Sequence, residues 1–139
     1  MTPEQLLELL GSEDVEDRAR GLTWAADNGA GAVPNLVAVL RDPAGSVLAQ
    51  VWAMIAVGVV GRAAMEPARE VLVDKLSDPH PTIRRAAIRT LMALDDVASR
   101  DAIARLLTDE AVDPSAWFDS DAIVGQAARS AIDSLDRAR

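Results

Sequence analysis

Residues Leu76–Leu94 read LSDPHPTIRRAAIRTLMAL, and the fold is decided here. A leucine is followed two residues on by Asp78-Pro79, and then by apolar residues at Ile83, Ala87, Leu91 and Leu94. Steps of three and four mark one face of a helix, and the Asp-Pro pair ahead of them marks a turn. The same order recurs in both directions along the chain. Leu6 and Leu10, Leu36 and Leu40, Leu72 and Leu76, and Ile103 and Leu107 each form an i, i+4 pair, which predicts four short amphipathic A helices. Each is followed by a second stripe: Val15, Ala19, Leu22 and Ala26; Val47, Val51, Met54 and Gly58; Ile83, Ala87, Leu91 and Leu94; and Ile123, Ala127, Ala131 and Leu135. These predict four B helices.

The turns support the assignment independently. Asp42-Pro43 and Asp78-Pro79 stand at the same offset after Leu40 and Leu76, and seven residues separate each of those leucines from the first B aliphatic. Thr2-Pro3-Glu4-Gln5 reads as a capping box with Pro at the first helical position, and Pro34 and Pro67 fall near the first turns of the second and third A helices. Gly11, Gly29, Gly31 and Gly61 lie between helices as stop signals. No alternation of period two persists long enough for a strand. The expectation is one all-α domain over residues 1–139, with approximate repeats 2–29, 33–61, 66–96 and 99–138. Stacked helix pairs of this length make an α-solenoid, and an irregular helical bundle is the competing all-α arrangement. The last helix keeps Arg129, Asp133, Asp136 and Arg137 off its apolar stripe, as a capping repeat would, so the chain is expected to be a complete small solenoid.

The Leu76–Leu94 unit closely resembles a HEAT repeat, of the short kind found in bacterial proteins related to phycobilisome lyases: leucine, Asp-Pro turn, aliphatic-Arg, a small pair, then leucines. In the other pairs the spacing persists while Glu16, Leu48 and Val124 replace the arginine, so the Asp/Arg ladder usual in such solenoids is not evident. The resemblance implies a scaffold whose B helices line a concave, partner-facing surface. It also raises two competing functions, a bilin or chromophore lyase-like protein or chaperone, and a nucleic-acid-binding HEAT-like protein.

Composition narrows these classes. With 22 acidic residues against 14 Lys and Arg and a net charge of -8, the overall field repels phosphate backbones, and this argues against nucleic acid. There is no cysteine, so disulfides, thiolate metal sites and Cys nucleophiles are excluded. The opening MTPEQLLELL lacks the basic region of a signal peptide, and the apolar run VLAQVWAMIAVGVVG at 47–61 is too short to span a bilayer; a cytoplasmic protein is expected.

No catalytic set emerges, and neither enzyme activity nor a cofactor is expected. The single histidine, His80, sits in a turn between two prolines, and one His without Cys makes no ordinary zinc site. The segment DNGAGAVPN lacks the strand and the Lys-Ser/Thr of a phosphate loop. The pairs Asp95-Asp96, Asp109-Glu110 and Asp119-Ser120-Asp121 lack the spacing and central glycine of a calcium loop.

Two regions are expected to meet a protein partner. Aligned B helices put Asp17, Ala49, Arg85 and Gly125 in one outward row, and Gly21, Ala53, Arg89 and Arg129 in the next. Arg84, Arg85, Arg89 and Arg129 would then gather beside a flat patch of Ala49, Ala53 and Val57, forming a groove for an acidic segment; solvated helix charges are the plainer alternative. The apolar face of helix 47–60 would also let two copies meet as a homodimer. The second region is the insertion TDEAVDPSAWFDSDA, where Leu107 and Ile123 stand sixteen residues apart instead of seven. Trp117 and Phe118 either fold back to close the end of the core or anchor a basic partner.

Overall fold

A computed structural model describes residues 1–116 and 118–138. The chain divides into two compact units, Met1–Val71 and Leu72–Arg139. In the first are α1 (Pro3–Leu10), α2 (Val15–Asn28), α3 (Val33–Arg41), α4 (Val47–Val60) and the start of α5 (Arg62–Lys75). In the second are the rest of α5, α6 (Pro81–Ala93), α7 (Arg100–Ala104) and α8 (Val124–Arg137). These are the A and B helices in their expected order. The described residues contain no strand beyond a single antiparallel bridge, Val112 to Ile123. None of their helices is long and apolar enough to cross a membrane.

Local chemistry sets the ends of the helices. The Thr2 hydroxyl accepts the Gln5 N–H at 3.1 Å, and the Gln5 amide oxygen accepts the Thr2 N–H at 2.9 Å, closing the expected capping box. Asp14 and Ser46 cap α2 and α4 in the same sense, receiving the N–H groups of Glu16 and Ala49. Gly29 and Gly61 end α2 and α4 at φ of +54° and +84°, where a Cβ would be strained. Gly61 alone separates α4 from α5, which starts at Arg62, and Pro67 lies inside that helix and not near its first turn. The helix loses one backbone hydrogen bond there.

One turn device recurs in every pair, two residues after the second A-helix position. The Ser12 hydroxyl accepts the Asp14 N–H at 3.1 Å. Asp42, Asp78 and Asp109 use Oδ1 in the same way, accepting the N–H groups of Ala44, His80 and Ala111 at 2.9, 2.9 and 3.0 Å. A short polar side chain satisfies the backbone two residues on and bends the chain toward the B helix.

The A-helix leucines Leu6, Leu10, Leu36, Leu40, Leu72 and Leu76 are buried, as are the α6 stripe from Ile83 to Leu94 and Ala127, Ala131 and Leu135 of α8. α7 is shorter than its Ile103–Leu107 pair predicts. Past Ala104 the bonds run from i to i−3, with Leu106 donating to Ile103 at 2.9 Å and Leu107 to Ala104 at 3.2 Å.

The first unit departs from the stripes. α2 buries Gly21 and Ala25, while Val15 is 68% exposed. α4 packs against α1, α2 and α3. It buries Ala49, Ala53, Met54, Ala56 and Val57, leaving Ile55 and Val59 about half exposed. The expected outward stripe of Ala49, Ala53 and Val57 is therefore an inward one, and cannot form the flat partner patch. The reason is physical: α4 is apolar around its whole circumference, so periodicity could not choose its buried side. The small residues in the aligned rows permit close approach. A Cβ on Gly21 would stand 2.7 Å from Leu10 Cδ2, and one on Gly125 would stand 2.6 Å from the Leu107 carbonyl oxygen.

Candidate functional site

The first three turns of α6 carry Thr82, Arg84, Arg85 and Arg89. All four reach the insertion at 108–122, within the second unit. Arg84 Nε donates to Asp109 Oδ2 at 2.9 Å, while its Nη1 donates to the carbonyls of Asp78 and Pro79 at 2.8 and 3.0 Å. One arginine thus joins the turn of the third pair to that of the fourth. This is one rung of the Asp/Arg ladder that the sequence alone did not reveal.

Arg85 is the center of the network. Its side chain is 9% exposed. Nη1 donates to Asp113 Oδ2 at 3.3 Å, Nη2 to Asp119 Oδ2 at 3.0 Å and to Asp121 Oδ1 at 2.7 Å, and Nε to the Asp121 carbonyl at 3.1 Å. Burial disfavors the guanidinium charge. The hydrogen bond to Asp121 and the charges of Asp121, Asp113 and Asp119 outweigh that penalty and hold its pKa above the ordinary arginine value. Arg89, half exposed, stands 3.6 Å from Asp121.

Asp113 is 2% exposed, and its Oδ1 accepts the Thr82 hydroxyl at 2.8 Å, the Ser115 hydroxyl at 2.7 Å and the Ser115 N–H at 2.9 Å. Burial raises its pKa. The Ser115 hydroxyl, the Thr82 hydroxyl, the Ser115 N–H and the Arg85 charge together bring it below the usual aspartate value. The neck of the insertion is closed by backbone bonds: Asp113 N–H to Ala122 O at 2.8 Å, Val124 N–H to Ala111 O at 3.0 Å, and Gly125 N–H to Asp109 O at 2.8 Å. The insertion is thus an Ω-like loop, tied at its base and at its flank.

Arg84, Arg85 and Arg89 do gather, as expected, but they do not line an open groove for an acidic segment. The chain's own Asp109, Asp113, Asp119 and Asp121 occupy them. Arg129, on α8, is exposed and forms no ion pair among the described residues. Phe118 does not fold back over the core; it is 83% exposed, beside Asp119 at 55% side-chain exposure. Trp117, paired with it in the sequence reading, lies outside the described residues. His80 is exposed, with Nδ1 3.0 Å from Asp78 Oδ1.

Thr82, Asp109, Asp113 and Ser115 were not singled out as site residues. Two signals could have found them. Asp113-Pro114 is a third Asp-Pro pair, and Asp109 follows Leu107 at the same interval as Asp42 follows Leu40. Chemically the arrangement is a set of satisfied ion pairs that position a loop; no nucleophile, base or electrophile converges on a common point. Among the described residues no group of three or more acids or histidines is placed to hold a metal ion.

Comparison with known proteins agrees with the helix pairs. Residues 52–117 match the family model for HEAT repeats. No curated protein matches the chain. The turns and the paired helices agree with this match, and over residues 52–117 the chain is similar to HEAT repeats.

Proposed function

We propose that this protein is a non-enzymatic protein-interaction module, and that the loop at 108–122 is its contact surface for a basic segment of a partner. HEAT repeats are in general interaction scaffolds, which supports the class. The observation that carries the finer reading is that the loop is fixed from below by Arg84, Arg85 and Thr82 while Phe118 is 83% exposed and Asp119, paired with Arg85 through Oδ2, keeps 55% of its side chain exposed. A large aromatic beside carboxylates on a preorganized loop loses little entropy on binding. Such a loop suits an arginine- or lysine-bearing partner, with the aromatic supplying the apolar anchor.

The test is cross-linking mass spectrometry on complexes captured from the native cell, using wild type, Phe118→Ser and Glu110→Arg. Both substitutions fall at exposed positions and should leave the melting temperature unchanged. Cross-links from residues 110–120 to basic segments, lost in both variants, are the expected result. An unchanged set of captured proteins and cross-links would overturn the reading.

A further inference from the structure

The first unit carries a separate feature that the loop reading does not use. An open groove of about 1020 Å³ runs past the carboxyl end of α1, with Glu8, Leu9, Ser12, Asp17, Trp24 and Ala44 among its lining residues. Its lining includes the side chains of Glu8 and Asp17 and no Lys or Arg. Residues 1–32 as a whole hold seven acids and two arginines, and both arginines are already engaged. Arg18 donates to the Ser12 carbonyl at 2.6 Å and lies 5.1 Å from the center of the Trp52 ring, and Arg20 pairs with Asp17 at 2.7 Å. Glu8 has no cationic partner among the described residues. Neither α1 nor α2 has a basic residue in its own last turn, and the cation that reaches the turn after α1 is Arg18 of α2. Trp24, half-buried, supplies an aromatic surface in the same groove.

We infer that this groove is a docking site for a basic segment of a partner protein, distinct from the loop at 108–122. An arginine or lysine there places its charge by Glu8. Its aliphatic stem lies on Leu9 and Trp24, where the indole ring adds a cation–π attraction. Charge complementarity selects this occupant: with seven acids against two arginines in residues 1–32, an acidic peptide would meet Glu8 in a segment of net negative charge.

The experiment uses the full chain and a fluorescein-labelled octapeptide alternating Arg and Ala, with its Glu-Ala counterpart as control, read by fluorescence anisotropy. Amide chemical shifts of the labelled protein locate the site. Expected are salt-sensitive binding of the basic peptide only, shifts at Glu8, Ser12 and the Trp24 indole, and at least a tenfold weakening in Glu8→Arg and in Trp24→Ala. Glu8→Arg tests the site even if Trp24→Ala disturbs packing, because the Glu8 side chain has no ionic partner to lose. Phe118→Ser should bind as wild type, which separates this site from the proposed loop surface. Wild-type affinity in Glu8→Arg, equal binding of the acidic peptide, or shifts centered on 109–122 would each overturn the inference. So would light scattering that shows a dimer whose interface covers Trp24 and excludes the peptide.

Discussion

Replacing Arg85 with leucine isolates what holds the loop. The substitution removes the one cation that, among the described residues, faces Asp113, which is 2% exposed, and leaves that carboxylate with neutral donors from Thr82 and Ser115. Stranding a buried charge costs ~2–3 kcal/mol when some hydrogen bonds remain. The contacts to Asp119 and Asp121 lie nearer water, at 55% and 22% side-chain exposure, and each adds ~0.5–1 kcal/mol. Leucine's own burial returns ~1 kcal/mol. The net expectation is a loss of ~3 kcal/mol, or roughly 10 °C in melting temperature. Hydrogen exchange should show the loss of protection concentrated at 109–125, with α1 to α4 unchanged. Arg85→Lys keeps the charge but not the fork, and should lose about half as much. In the double variant with Asp113→Asn the stranded charge is gone, so the combined loss should fall short of the sum of the single losses by ~1.5 kcal/mol or more. A loss below ~1 kcal/mol for Arg85→Leu, with unaltered exchange in the loop, would refute the reasoning.

Acid should release the loop through Asp113. Its folded pKa lies below the unfolded value, so the stabilization is complete above the unfolded value of about 3.9 and disappears as pH falls through the folded one. Exchange measured across that window should show the loop loosening at higher pH in Ser115→Ala than in wild type; identical midpoints would mean that Asp113 does not control it. Gly125→Ala drives a Cβ to within 2.6 and 2.9 Å of the backbone oxygens of Leu107 and Asp109, and should cost ~2 kcal/mol despite its better helix propensity. Gly58→Ala meets nothing within 4 Å and should gain ~0.5–1 kcal/mol, so the two denaturation midpoints should move in opposite directions. Ala53→Arg puts an unpaired cation at a position with 0% exposure and should cost at least ~3 kcal/mol; a folded, wild-type-like melt would mean that α4 presents this face to water after all.

The A helices, α6 and α8 were legible in the sequence because their apolar residues occupy one face and leave the rest polar. α4 was not, since Val, Ala, Met and Ile surround it and no face stands out. The turn at Asp42 and Asp78 was legible through proline, although the hydrogen bond is made by the aspartate. Asp109 carries the same bond next to Glu110, and without the proline it passed as one of an acidic pair. Of the site, the gathering of Arg84, Arg85 and Arg89 was foreseen from helix spacing. What occupies them was not, because Asp113, Asp119 and Asp121 stand 28 to 36 residues from Arg85, and a bridged arginine has the same letter as a solvated one.

The turn shared by Ser12, Asp42, Asp78 and Asp109 makes its hydrogen bond within two residues of itself. It needs nothing from the chain that follows. The extra length of the last pair enters just downstream of that bond, between Asp109 and Val124, and the turn has kept its form regardless. Each such turn is therefore a point where new chain can be inserted without disturbing the helix before it. Moving residues 110–123 to follow Asp42 should yield a folded protein with α3 intact by hydrogen exchange, and collapse of α3 in that chimera would deny the turns this independence. A protein assembled this way can change what it recognizes by lengthening one bend, leaving its stacked helices as they are.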